Sequence, residues 1–133
     1  MSQQPQAAFH AAAPHFLVPD VLQAAQYYRD TFGFEIDLVF GHPEPVFVRV
    51  RRDQVALHFN RSPEGAARPN RDTYDAYFFV HNVDVLQQEL RAASAKIVEG
   101  PVDRSYRMRE LVVRDPNGFT LCFGQDVGAP SNQ

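Results

Sequence analysis

The sequence has little that would allow covalent cross-linking or membrane insertion. Cys122 is its only cysteine, so no intrachain disulfide can form, as is typical of proteins from a reducing compartment. No apolar run approaches the roughly 18 residues of a transmembrane helix. The polar, alanine-rich start lacks a basic segment followed by an apolar one and is not typical of a signal peptide. These absences favour a cytoplasmic protein without a membrane partner.

The charge balance argues against another class of partner. Thirteen basic and sixteen acidic residues give a net charge of −3. Nucleic-acid binders carry a basic surface for the phosphate backbone, so no nucleic acid is expected here. Hydrophobic residues make up 44% of the 133 residues, and eleven are phenylalanine. This composition and length are typical of one globular domain with its own core.

An internal repeat divides the chain into two similar halves. Residues 16–21 and 78–83 share an apolar strand followed by a polar cap and the start of a helix. Residues 55–59 and 119–123 share an apolar strand near the end of each half. Each half therefore reads as strand, helix, strand, strand and strand.

The repeat predicts both the fold and the place of a binding site. An amphipathic helix must pack on one side of each sheet. The other sides are then left to form a concave surface, where small-molecule sites occur. We predict an α+β fold of two tandem βαβββ modules, with a helix on the outer side of each module. The predicted parts are a single domain at 13–125 (modules 13–60 and 74–124, linker 61–73) and flexible tails at 1–12 and 126–133.

Local signals place the ends of the elements. Asp20 and Asn82 are expected to cap the starts of the two helices, and Gly33 is expected to end the first. Ser94 occupies the corresponding place after the second helix, where a residue other than glycine would be strained. The predicted strands are residues 15–18, 34–40, 46–51, 55–60, 74–80, 96–98, 107–114 and 119–123, with 99–105 as a loop.

Two motifs carry a family resemblance. Residues 27–34, at the end of the first helix, read YYRDTFGF, and residues 115–118 form a DPNG turn before the last strand. Together with residues 18–21, 83–86 and 106–110, they make the chain resemble the vicinal oxygen chelate superfamily over about residues 13–124. That superfamily includes glyoxalase I, extradiol dioxygenases, fosfomycin-resistance enzymes and bleomycin-resistance proteins. The resemblance implies that the modules form an open, barrel-like curved sheet with a cleft between them, and that the protein is a homodimer.

The resemblance also implies where a divalent metal would bind in an enzyme. The family's four ligand positions fall on Ala13, His58, Asp75 and Cys122. Ala13 cannot ligate, and His58, Asp75 and Cys122 would give a mixed set of one nitrogen, one oxygen and one sulfur, which is unusual for a catalytic site. We therefore expect no metal cofactor, with zinc, iron, nickel or manganese as the alternative. The metal-free bleomycin-resistance proteins are then the closer likeness.

The alternation of side chains along the strands predicts which residues face the cleft. Because Leu57 and Phe59 should face the helix, His58 should face the cleft. By the same alternation, His15 and Tyr77 should also face the cleft, where they could stack on an aromatic ligand or donate to it. Ordinary sheet packing would also account for a histidine and a tyrosine at these positions. The candidate ligand-binding residues are His15, His58, Asp75, Tyr77, Arg109 and Glu110.

The charged candidates leave alternatives open. A buried Asp75 would need a partner, with Arg49 or Arg109 as the expected one, or it could act as a general base. The direction of Glu110 is not settled, because Val112 and Val113 are both apolar.

Three functions fit these observations. The favoured one is a metal-independent protein that binds an aromatic or amphipathic compound between the modules. The second is a metal-dependent lyase, isomerase or dioxygenase, suggested by the superfamily alone. The third is a dimeric interaction protein without a small-molecule role, which a cleft filled by its own side chains would favour.

Overall fold

The computed structural model describes residues 4–128, and the predicted order of elements is confirmed. The first module contains β1 (His15–Val18), α1 (Val21–Phe32), β2 (Glu35–Phe40), β3 (Phe47–Arg52) and β4 (Val55–Arg61). The second contains β5 (Ala76–Phe79), α2 (Val83–Ala92), β6 (Lys96–Asp103), β7 (Met108–Arg114) and β8 (Thr120–Asp126). Of the predicted tails, residues 1–3 and 129–133 lie outside the described residues. No helix within residues 4–128 is long and apolar enough to span a membrane.

Each module forms a four-stranded sheet with the same connectivity. The strand orders are β1-β4-β3-β2 and β5-β8-β7-β6. The first and last strands of each module along the chain are neighbours in the sheet and run parallel. This register sets His15 beside His58 in the first sheet and Tyr77 beside Cys122 in the second. The α+β fold of two βαβββ modules is therefore confirmed, with sheets that are open and curved rather than closed.

The helix ends follow from local chemistry. The Asp20 carboxylate accepts the backbone N–H of Gln23 at 3.0 Å, and Asn82 caps α2 in the same way, so both predicted N-caps are confirmed. Gly33 ends α1 with a φ of 74°. Ser94, after α2, has a φ of 61°, a conformation that costs a residue with a β-carbon some strain.

Aromatic side chains join the two modules. Phe16 stacks on Phe119 with a ring separation of 4.2 Å. The buried hydroxyl of Tyr28 donates to the Asp115 carboxylate at 2.6 Å. The same carboxylate accepts the backbone N–H of Phe119 and so fixes the β7–β8 turn. The DPNG motif thus has a structural role here, because it attaches the second module to α1.

One predicted element is wrong. Residues 99–105 are predicted to be a loop, yet β6 continues through Gly100 and Pro101 to Asp103. Two register shifts between β6 and β7 accommodate these residues, as is common in edge strands. Gly100 is required there, because a side chain would collide with the carbonyl oxygen of Glu110.

Candidate ligand-binding site

The largest cavity described lies on the second sheet and has a volume of about 780 Å³. Side chains of β6, β7 and β8 form one part of the lining, and another part comes from residues 67 and 69–73 of the predicted linker together with Tyr74. The volume lies within the range of small-molecule sites. The lining is mixed in charge and includes Arg71, Tyr74, Glu99, Arg104, Tyr106, Glu110, Val112, Arg114 and Cys122.

Glu110 is the most deeply buried charged group of this cavity, with 2% of its surface exposed. One carboxylate oxygen accepts from Arg104 Nε and from the Tyr106 hydroxyl, both at 2.9 Å. The other accepts from the Tyr77 hydroxyl at 2.8 Å. Burial alone would raise the pKa of Glu110, but these three hydrogen bonds hold it below its ordinary value. The cavity therefore has an ionised carboxylate at its base.

The donors to Glu110 are themselves held in place. Arg104 also donates to the Glu99 carboxylate at 2.9 Å. Burial and the neighbouring Glu110 charge raise the pKa of Tyr77, so its phenol stays protonated and remains a donor. A side chain at Gly124 would collide with the Tyr77 ring. Gly124 therefore allows that ring to lie against the backbone of β8.

Cys122 lies beside this cluster and is almost fully buried. Burial, followed by the charge of Glu110 and a hydrogen bond to it, raises the pKa of the thiol to about 12. The side chain is therefore a neutral thiol at physiological pH, which makes it a poor nucleophile and a poor metal ligand.

The first sheet carries a separate polar cluster. Asn60 Nδ2 lies 2.9 Å from His15 Nδ1, and His15 Nε2 lies 2.8 Å from His58 Nδ1. Because the amide nitrogen can only donate, Asn60 donates to His15 Nδ1, and His15 Nε2 then donates to His58 Nδ1. A neutral His58 therefore carries its proton on Nε2. Burial, then the neighbouring His15 and Arg49 side chains, lower the pKa of His58 and favour this neutral form.

The predicted residues are only partly brought together. Tyr77 and Glu110 meet on the second sheet, while His15 and His58 meet on the first. Among residues 4–128, no hydrogen bond or ion pair joins the two clusters. A shallower cavity of about 380 Å³ lies between the modules, lined by Ala56 of β4 and by Tyr77 of β5.

Two predicted residues have other roles. Asp75 accepts the backbone N–H groups of Asn70 at 2.6 Å and of Thr120 at 2.8 Å, rather than pairing with Arg49 or Arg109. Backbone amides satisfy this carboxylate, which attaches the linker to β8.

Arg109 does not line the cavity. It forms ion pairs with Asp84 of α2 and with Asp103 of β6. Arg109 lies two positions before the core residue Leu111 in β7, so both side chains lie on the helix side of the sheet. Arg104, which was predicted to lie in the segment before β7, is the arginine that reaches Glu110.

The family's metal positions do not fit a divalent ion in this chain. Among residues 4–128, no three His, Cys, Asp or Glu side chains are grouped so that they could hold one. His58 accepts at Nδ1 and carries its proton on Nε2, Asp75 is occupied by backbone amides, and Cys122 is a protonated thiol. Binding of a metal through Cys122 would require loss of the thiol proton.

Paired βαβββ modules with open, curved sheets define a class of protein built around concave faces. The chain belongs to the Glyoxalase/Bleomycin resistance protein/Dioxygenase superfamily, whose family model matches residues 8–123. The resemblance inferred from the sequence motifs is thereby confirmed.

Solved structures support the same fold at low sequence identity. TioX from Micromonospora sp. ML1 is 20% identical, with a TM-score of 0.68 over 87% of this chain and 99% of that one. A superfamily member from Sphaerobacter thermophilus DSM 20745 is 18% identical, with a TM-score of 0.69 over 89% and 98%. A glyoxalase/bleomycin resistance protein/dioxygenase from Nocardioides is 14% identical, with a TM-score of 0.66 over 96% and 92%. No curated protein matches the chain.

Proposed function

We propose that the protein binds a small aromatic or amphipathic compound, without a metal, in the cavity whose base is formed by Glu110. The observation that carries this proposal is the buried, ionised carboxylate held by Tyr77, Tyr106 and Arg104 beside about 780 Å³ of open space. Such a group is costly to bury and is kept where it meets a partner.

The lining indicates the chemistry of the ligand. Tyr74 and Tyr106 are 41% and 60% exposed and offer aromatic faces at the cavity. Glu110 can only accept hydrogen bonds, so the ligand should bring an N–H donor or a cationic amine towards it. An aromatic amine, or an amphipathic cationic compound of the bleomycin type, meets both requirements.

The ligand prediction is tested by thermal unfolding. Bleomycin and tryptamine are the probes, and a ligand at about 100 times its dissociation constant should stabilise the native state by about 2.7 kcal/mol. Glu110→Gln should abolish the shift in melting temperature, whereas Asp84→Asn, which removes an exposed acid outside the cavity, should retain it.

Two outcomes would contradict the proposal. One is the absence of any shift with either probe. The other is elemental analysis that finds about one tightly held zinc, iron, nickel or manganese per chain, which would direct attention to a metal-dependent enzyme.

We also propose that the protein is a cytoplasmic homodimer. Three consecutive apolar residues of β2, Leu38, Val39 and Phe40, are 43%, 47% and 66% exposed. A contiguous apolar edge of this kind supports burial against another chain. A second copy placed over this edge would enclose the concave faces, which are open in a single chain.

Sedimentation velocity tests the dimer. The expected mass is twice the chain mass of 15.1 kDa, and Phe40→Ser should shift the protein towards the monomer because it removes apolar area from the interface. Val127→Ser, at another exposed apolar residue, is the matched control. A monomeric wild type at micromolar concentration would refute the dimer and leave the ligand proposal standing.

A further inference from the structure

A second apolar cavity of about 380 Å³ lies between the modules, beside α2 and away from Glu110. It is bounded by the end of α1, the β3–β4 turn, the end of β5 and one face of α2. Its deepest lining residues are Phe32, Phe34, Phe78, Leu86, Leu90 and Phe123, all of which are buried. The cavity shares no lining residue with the site around Glu110.

The internal repeat shows that the two halves differ at this place. In the other half of the molecule, aromatic rings occupy the corresponding place, where α1 and the residue before β8 pack on strands of the first sheet. Tyr28 of α1 packs edge-on against Phe59 at 4.9 Å, and Phe119 stacks on Phe16.

At the equivalent positions here, two aliphatic residues replace these rings. Alignment of the caps Asp20 and Asn82 makes Leu90 the counterpart of Tyr28. Alignment of the two last strands makes Val55 the counterpart of Phe119. We infer that the replaced rings leave space that suits an aromatic ring from outside.

Three charged side chains line the mouth of the cavity, Arg52, Asp53 and Glu89, and the arginine is paired within the protein. Arg52 Nη2 pairs with the Glu89 carboxylate at 3.0 Å, and Arg52 Nη1 donates to the Phe32 carbonyl at 2.9 Å. These bonds fix the arginine and neutralise its charge. Phe79 and Val85 lie at the opening and are 74% and 50% exposed, so an apolar ring can approach.

We propose that this cavity is a second binding site, which takes a small uncharged aromatic compound of one or two fused rings. Indole is the probe. Its titration against protein labelled at valine and leucine methyls should produce saturable NMR shifts at Val55, Leu86 and Leu90.

Two matched variants separate this site from the one around Glu110. Val55→Phe installs the residue that the repeat carries at Phe119 and should weaken indole binding at least 10-fold. Val112→Phe adds the same ring to the wall of the larger cavity and should leave indole binding unchanged. If Val55→Phe fails to fold, as judged by circular dichroism, Leu86→Phe fills the same cavity from α2.

The remaining outcomes overturn the proposal. It fails if the three methyls do not respond to indole, if the filled variants bind indole as the wild type does, or if Val112→Phe alone abolishes binding. It also fails if a second copy of the chain occupies the cavity, which would appear as an association that Phe79→Ser abolishes. A shift with bleomycin or tryptamine is assigned to the larger cavity only if Glu110→Gln abolishes it, so the two proposals fail separately.

Discussion

Replacement of Glu110 by alanine should lower the free energy of unfolding by about 3 kcal/mol. The change leaves Tyr77 without its hydrogen-bond acceptor and removes one of the two carboxylates that pair with Arg104. It also opens space beside Cys122, which is buried against the same cluster. Urea unfolding followed by circular dichroism measures the loss.

Glu99→Ala is the matched control. It removes the same charge from the same Arg104, but the Glu99 side chain is 52% exposed. Exposed ion pairs contribute at most about 1 kcal/mol, so this variant should remain close to wild type. Equal losses for the two variants would mean that Glu110 is not the buried anchor inferred from its 2% exposure.

The pH dependence provides a second readout of Glu110. Its pKa is lowered in the folded protein from an ordinary value of 4.5. A lowered carboxyl pKa adds stability that is fully present above pH 4.5 and is lost as the pH falls through the folded pKa. The difference in unfolding free energy between wild type and Glu110→Gln should thus be constant from pH 7 to about pH 5.5 and shrink below pH 4.5. A difference that grew on acidification would contradict the ionised form.

Local signals in the sequence were sufficient for the order of the elements. Caps such as Asp20 and Asn82 act within one turn of a helix, and Gly33 acts through its own φ angle, so a linear pattern contains them. The extent of β6 was missed because its continuation past Gly100 depends on pairing with β7. Strand pairing is a non-local property that composition alone does not encode.

The candidate site was less predictable for the same reason. Alternation in β4 is regular, so the orientation of His58 followed from Leu57 and Phe59. In β7 the consecutive apolar residues Val112 and Val113 do not show which residues face the helix. Only the register with β8 shows that Glu110 faces the cavity and Arg109 faces the helix side of the sheet. The partners of Asp75 are backbone amides. Every residue type except proline has such an amide, so the sequence does not identify these partners.

One site residue did carry a signal that could have been used. Gly124 ends the apolar run of residues 121–123 in β8, and a glycine inside a strand often marks a close approach of another group. That group is the Tyr77 ring, which brings its hydroxyl to Glu110. The glycine therefore predicts the crowding, although it does not identify the neighbour.

Gly124→Ala should consequently be the second most damaging change, because the new methyl would occupy the place of the Tyr77 ring. Overpacking of this kind costs about 1–3 kcal/mol, and displacement of the ring should also break its hydrogen bond to Glu110. The pKa of Tyr77 should then fall towards its ordinary value of 10.0, which alkaline absorbance titration can measure against wild type.

A double-mutant cycle with Tyr77→Ala isolates this contact. Once the ring is removed, the alanine at position 124 has nothing to displace, so the double variant should be no less stable than Tyr77→Ala alone. Contacting residues show such non-additivity, whereas independent ones add within about 0.5 kcal/mol. Additive losses would mean that the backbone of β8 itself requires a glycine at position 124. The close approach of the Tyr77 ring would then not be the reason for the glycine.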